Sequence, residues 1–396
     1  MNVNAIISHP LFIPVVLTLA IIGGVPLVAG YLTLVERKVL ADFQVRLGPM
    51  RVGPHGILQP LADALKLVLK EDIVPTRADT AIFWFAPCLS TITALTAFSV
   101  LPFTSKLFVA DTNVGLLVIS SMSAVGVLGI ILGGWSSNSH YSLLGSLRGA
   151  AQLVSYEIAL AFALLSGVMA AGTLSMQGIV RSQLQNGVWG VFANYGFMIV
   201  PFIVYLIAAT AETNRAPFDM PEAESELVAG FHTEYSGFRF ALFFLAEYAN
   251  VLVVSGVAVT LFLGGWLRPF ASVKWLEAPL NYGVPALFFI GSGLLSLRLV
   301  PRLVAPVHKV VLLALIAAMV LIGLAFLVPV INAFTVGMFW FVLKMACMVY
   351  TLIWFRGTFP RFRYDQLMNL GWKVAIPVGM AAVLINALIG MAGRHF

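Results

Sequence analysis

Long apolar runs alternating with short polar ones set the pattern of this chain. In order, they predict spanning helices at Leu11 to Val35, Thr80 to Leu101, Val114 to Gly134, Ala150 to Ala171, Phe197 to Ala211, Phe240 to Leu263, Met338 to Phe355 and Trp372 to Met391. A helix needs about 20 apolar residues to cross a hydrocarbon core of about 30 Å. Two further runs, a short one at Val284 to Leu297 and a full-length one at Val310 to Ile331, flank RLVPRLVAPVHK. A single crossing there would invert everything downstream, so both are expected to cross as an extra hairpin over 284–331, with a re-entrant pair as the alternative. The expected fold class is all-α: a polytopic transmembrane helix bundle forming one integral membrane domain over residues 1–396.

Two polar blocks interrupt the pattern. In 39–79, Pro49, Gly53, Pro54 and Gly56 predict a loop. From Ile57 the period turns helical, with Leu58, Leu61, Leu65 and Leu69 on one face and Asp63, Lys66 and Lys70 on another. Such an amphipathic helix suits a membrane surface or a soluble partner.

The second block, 212–239, reads ETNRAPFDMPEAESELVAGFHTEYSGFR. It crowds Glu212, Asp219, Glu222, Glu224, Glu226 and Glu234 against Arg215, His232 and Arg239. Pro217 and Pro221 stop a helix entering from the left. Asp219 is placed to cap a new helix from Met220, with Glu222 and Glu226 titrating as a coupled pair on one face. Acidic runs are more often solvated loops, but Phe218, Leu227, Val228, Phe231 and Tyr235 are interleaved with this one.

Composition places the chain in a bilayer: 60% of residues are hydrophobic and 10% charged, against about 25% charged in soluble domains. Cys88 and Cys347 lie inside apolar runs, and two isolated cysteines do not supply the four ligands of an iron–sulfur cluster. No phosphate-cradling glycine loop occurs, so no bound redox group, flavin or nucleic acid is expected. Arg and Lys concentrate on the side of the Glu36 loop, the acidic loop and the RYDQ loop. The opposite side holds Lys106, Arg181, Arg268, Lys274 and Arg394. The positive-inside rule then puts those loops in the cytoplasm, the N-terminus outside, and Arg302 and His308 on the cytoplasmic turn of a peripheral hairpin.

Three ionisable residues sit within apolar runs: Glu157, Glu247 and Lys344. Such groups are costly and by default functional. The plainer reading, a residue reaching water near a helix end, suits Glu157, about two turns from Arg148. Glu247 and Lys344 lie deeper and are expected to face the bundle interior. With Glu212 at the mouth of its helix, these acids suggest a discontinuous proton path.

The acidic stretch ETNRAPFDMPEAESELVAGFHTEYSG resembles the central loop of the H-subunit family (subunit 1 in organelles) of proton-pumping NADH:quinone oxidoreductase, respiratory complex I. The resemblance extends to Glu36–Leu67, LVSYEIAL (Leu153 to Leu160) and PRFRYDQLM (Pro360 to Met368), in the same order. It implies eight spanning helices, leaving the hairpin as an addition. It further implies a quinone substrate entering beside the first helix and the amphipathic helix, then moving toward an iron–sulfur cluster in a neighbouring subunit.

The positions matching the quinone channel are Glu36, Arg37, Arg46, Asp63, Phe231, Arg361 and Asp365. Those matching the carboxylate chain are Glu157, Glu212, Asp219, Glu222, Glu224, Glu226 and Glu247, with Tyr248 beside them. The implied partners are the hydrophilic quinone-site subunits, the iron–sulfur subunit and the small membrane and antiporter-like subunits. The implied location is a bacterial cytoplasmic (inner) membrane. The equivalent membrane subunit of an ion-translocating, energy-converting hydrogenase is the alternative. A lone ion carrier explains the buried charges but not the large loops.

Overall fold

A computed structural model describes residues 12–221, 228–302 and 306–392. Thirteen α-helices carry the chain among these residues. They are α1 (Phe12–Phe43), α2 (Gln59–Leu69), α3 (Thr80–Ala97), α4 (Gly115–Ser136), α5 (His140–Ala171), α6 (Met176–Asn186) and α7 (Ile199–Glu212). Then come α8 (Gly237–Phe262), α9 (Val284–Ser296), α10 (Pro306–Ala325), α11 (Pro329–Thr358), α12 (Tyr364–Leu370) and α13 (Ile376–Ala392). Among the described residues, nine helices are long and apolar enough to cross a membrane, and the 14-residue α7 is a shorter apolar tenth. The chain is an all-helical, polytopic membrane bundle, as its apolar pattern requires.

Named contacts sort the helix ends onto two faces. On the first, the loop face, Asp79 N–H donates to Ser136 O, tying the start of α3 to the end of α4. Phe362 N–H donates to Pro217 O there, and α10 touches the Pro54–Gly56 turn. On the opposite face, Leu116 N–H donates to Leu174 O, and Asn332 Nδ2 donates to Asn281 O at 2.8 Å. The hairpin connector therefore lies on the same face as the Glu36 loop and the acidic loop.

Four boundaries differ from the sequence expectation. Helix α1 continues past Glu36 to Phe43, because Glu36 is paired inside the bundle rather than released to water. Helix α5 starts at His140, so its first turns carry the polar residues ahead of Ala150. The hairpin breaks at Phe326 to Val328 rather than after Ile331, and α11 begins at Pro329. The residue before a proline is driven from the helical region, and Val328 is extended, with ψ of 118°. The short run at Val284 to Leu297 lies within a 28-residue helical segment, Lys274–Pro301, which includes a π-helical turn over Pro279–Gly283. That segment is long enough to span, which removes the reason for a re-entrant pair.

Helix α5 supports the acidic loop. A Cβ on Gly145 would stand 2.8 Å from Gly230 Cα, and one on Gly149 would stand 2.8 Å from Pro221 Cγ. Small residues at these places let the loop lie against the helix. Gln152, one turn further, donates through Nε2 to Ala211 O and Phe218 O, both at 2.7 Å. Tyr156 OH donates to Leu367 O at 2.9 Å and so fixes α12.

A second buried cation ties down the segment after α2. Arg239 is 2% exposed, with Nε 2.9 Å from Asp72 Oδ2 and its guanidinium 3.7 Å over the Trp84 ring. Ser236 Oγ donates to Glu71 O and accepts from Ile73 N–H. The amphipathic helix is thus held to the start of α8. Arg239→Leu is expected to cost about 2–3 kcal/mol, below the cost for a fully buried pair because Asp72 is partly open to water. In membranes it should speed tryptic cleavage after Lys70 and Arg77, both already at the surface. Unchanged cleavage would show that the strap does not hold this segment.

Candidate functional site

The loop face converges on one buried cation. Arg215 leaves the end of α7 through the turn before Pro217 and is 6% exposed. Its Nη1 donates to both oxygens of Glu36, at 2.9 and 3.0 Å, and its Nε lies 2.8 Å from Glu247 Oε1. Its guanidinium stands 4.1 Å over the Tyr248 ring, and Tyr248 OH donates to Glu36 Oε2 at 2.7 Å. Arg356, from the last turn of α11, donates to Glu36 as well. Helices α1, α8 and α11 and the acidic loop meet here in a cluster of two carboxylates and two guanidinium groups. Burial opposes the charge on Arg215, but Glu247 and Glu36 outweigh it and hold the guanidinium firmly protonated.

Glu247 also lines a cavity of about 360 Å³ between α3, α4, α5, α7 and α8. Glu157, Glu212, Asn214, His232 and Asn250 line it too, amid Phe231, Phe243 and Leu160. Ser123 Oγ donates to Glu212 Oε1. Glu212 Oε2 is buried with no hydrogen-bond partner among the described residues. The cavity thus collects three of the expected chain acids, and Glu247 belongs to both the cavity and the cation cluster.

The remaining expected acids fall elsewhere. Asp219 accepts from Arg361 Nη2 at 2.9 Å. Burial pushes its carboxyl above the ordinary range, against the pull of Arg361 and Arg356. Met220 and Pro221 form a turn. The expected helix beyond them, with Glu222, Glu224 and Glu226, lies outside the described residues.

The seven quinone-channel positions do not share one pocket. Arg37 Nη1 donates to Asp63 Oδ2 at 2.9 Å, joining α1 to α2, and Gln59 Nε2 donates to Asp63 Oδ1 at 3.0 Å. Glu36 belongs to the cation cluster, and Arg361 holds Asp219. Arg46 is exposed and donates to Gln44. Asp365 is exposed in the first turn of α12. Phe231 sits with the acids instead: it is buried, edge-on to Phe243 at 5.1 Å, and lines their cavity.

Two site groups escaped the sequence reading, and a third proved structural. Arg356 counted only toward orientation, because nothing local marks a pairing with a residue 320 positions away. Ser123 is one of several serines on an apolar helix. Lys344 faces the interior as expected, but donates to Leu263 O at 2.6 Å and Leu267 O at 2.8 Å. It caps the C-terminal end of α8, where a cation meets the negative end of the helix dipole. Among the described residues, no group of three or more His, Cys, Asp or Glu is placed to hold a metal ion.

Fold and site together define a helical membrane protein with a buried ion-pair cluster opening onto an acid-lined internal cavity. The family model described as NADH dehydrogenase matches residues 15–387. The chain is 72% identical to NADH-quinone oxidoreductase H subunit 2 of Solibacter usitatus over 392 residues, 99% of this chain and all of the relative. It is 47% identical to NADH-quinone oxidoreductase H subunit 1 of Koribacter versatilis, over 95% of this chain and 91% of the relative. Identity to the NADH-quinone oxidoreductase H subunit of Rhodospirillum rubrum is 42%, over 96% and 94%. The chain belongs to the NADH dehydrogenase family, in agreement with the resemblance read from its loops.

Two outcomes follow from this geometry. Arg215→Lys keeps a charge but loses the fork that reaches both carboxylates, and should lower stability by about 3 kcal/mol, as broken buried pairs do. Arg215→Met combined with Glu36→Gln should cost less than Arg215→Met alone, read as thermal midpoints in detergent. Equal midpoints for wild type and Arg215→Lys would show that one carboxylate suffices.

The second outcome concerns pH. Burial lowers His232 from 6.5 to about 4. Above pH 6.5 the ring is neutral folded or unfolded and contributes no pH dependence. As pH falls from 6.5 toward 4, the unfolded chain takes up a proton that the folded one refuses, so stability is lost through that window. His232→Gln should flatten this part of the stability profile. An unchanged slope would assign it to the carboxylates.

Proposed function

We propose that this chain is the membrane subunit through which an NADH:quinone oxidoreductase admits quinone and couples its reduction to proton translocation. The observation that carries the reading is the position of Glu247, paired with Arg215 on one side and lining the acidic cavity on the other. In this reading quinone is the substrate and the chain holds no redox centre. Electrons arrive from an iron–sulfur subunit seated on the loop face, beside the hydrophilic quinone-site subunits. The small membrane and antiporter-like subunits receive the protons. The loop face is cytoplasmic and the N-terminus lies outside, in a bacterial inner membrane, as the charge distribution favours.

The chemistry assigned to the chain's own residues is electrostatic. The Arg37–Asp63 pair joins α1 to α2, and in this reading a polar headgroup passes beside it under an apolar tail. A change of charge there acts on Glu36, the neighbour of Arg37 in α1. When Glu36 takes a proton, the Arg215 guanidinium is left to Glu247 and Arg356 loses its main counter-charge. When Glu36 is ionised, Arg215 divides its pull and Glu247 is freer to accept a proton from the cavity. Arg215 thus links the protonation of two carboxylates on opposite sides of it. Glu212 and Glu157 offer onward positions in the cavity, and in this reading Asp219, Glu222, Glu224 and Glu226 belong to the same proton path.

Glu212→Gln should leave assembly intact, since Gln still accepts from Ser123, while proton pumping falls by about a hundredfold, the low end for loss of a proton-transfer group. Asp63→Asn should raise the apparent KM for quinone and leave electron transfer from NADH to an artificial acceptor unchanged. Full pumping in Glu212→Gln would remove the cavity from the proton path. Equal loss of both activities in Asp63→Asn would indicate failed assembly rather than a quinone contact.

A further inference from the structure

The face opposite the acidic loop holds a second cavity, of about 420 Å³, with a different chemistry. Three cations line it: Lys106 from the α3–α4 connection, and Arg268 and Lys274 from the segment between α8 and α9. One acid, Glu277, stands among them, 3.9 Å from Arg268 and itself largely exposed. Ala333, Phe334, Val336, Gly337 and Trp340 of α11 form the facing wall.

The donors divide into fixed and available ones. Arg268 is locked, donating to Val273 O and Ala271 O at 3.2 Å each, so it contributes a stationary positive field. The Lys106 ammonium rests 4.8 Å over the Phe334 ring, and Lys106 and Lys274 are both exposed. Trp340 lines the cavity, is 6% exposed, and its buried indole N–H has no partner among the described residues.

We propose that this cavity binds the phosphate headgroup of an anionic phospholipid from the leaflet on that face. Basic pockets between transmembrane helices bind anionic headgroups on the cytoplasmic side of membranes, and here the same donor chemistry stands on the opposite face. The depth is right for a headgroup: Trp266 and Trp340 line the cavity, and the neighbouring Trp275 is 76% exposed, as indoles at a membrane–water boundary are. Leu287 of α9, about two turns on from the cavity's Asn281, is exposed and offers an apolar flank for acyl chains. These features distinguish a lipid from free phosphate, which has no use for an apolar flank. The segment leading into the hairpin supplies Lys274 and Glu277, so the hairpin acquires a role in holding lipid at the bundle's edge.

The test uses the intact assembly containing the full chain, in phosphatidylcholine nanodiscs doped with a photoreactive phosphatidylglycerol. Adducts are expected on peptides covering Lys106, 266–282 or 333–340. Lys106→Gln with Lys274→Gln should lower their yield about tenfold, and the paired Arg substitutions should restore it. NADH:quinone activity should persist in all variants, because neither lysine belongs to the proposed path. Three results would overturn the proposal: equal labelling by photoreactive phosphatidylcholine, yield unchanged in the double Gln variant, or complete competition by inorganic phosphate. The first needs only the wild-type protein.

Discussion

A buried guanidinium shared by two carboxylates is the interaction on which the loop face depends. Removing ions from water costs several kcal/mol each, and their attraction offsets this only when geometry and hydrogen bonding are nearly complete. Arg215 meets that condition by using Nε toward Glu247, Nη1 toward Glu36, and its flat face toward Tyr248. Four parts of the chain must be in register for it: α1, the acidic loop, α8 and, through Arg356, α11. Assembly of the site and assembly of the bundle are therefore one event. A second stacked arginine, Arg239, does the same for the strap after α2.

Much of this was legible in the sequence, for identifiable reasons. Apolar runs give spanning helices because the backbone must satisfy itself in lipid. Glu247 and Lys344 were recognisable as inward-facing because neither could be left toward lipid. The helix break at Phe326 to Val328 was hidden because its residues are as apolar as the helices they separate, and only Pro329 signals it. Glu36 looks like the end of a helix because a charge normally marks one. It stays inside because its partners arrive from residues 215 and 356, and periodicity along the chain carries no such long-range information. Phe231 groups with the quinone positions by motif, whereas its ring packs into the Phe243 cluster that walls the acids.

The acid-lined cavity and the basic cavity lie on opposite faces and differ in what they offer. The first combines carboxylates with an orphaned carboxylate oxygen, an arrangement suited to protons passing between groups of one kind. The second combines two exposed ammonium groups with a fixed guanidinium, suited to an anion that stays. Helix α8 lines the first cavity and α11 the second.

Lys344 has a consequence that reaches beyond packing. A charge displaced across a membrane exchanges about 2.3 kcal/mol with a potential of 100 mV, but only in proportion to how far it travels. Lys344 is pinned by two carbonyls at the end of α8 and covered by Trp189, with no travel available. The transmembrane voltage therefore does no work on it. Whenever that amine carries its proton, the charge acts as a stationary offset to the electric profile that any mobile proton in the bundle must cross.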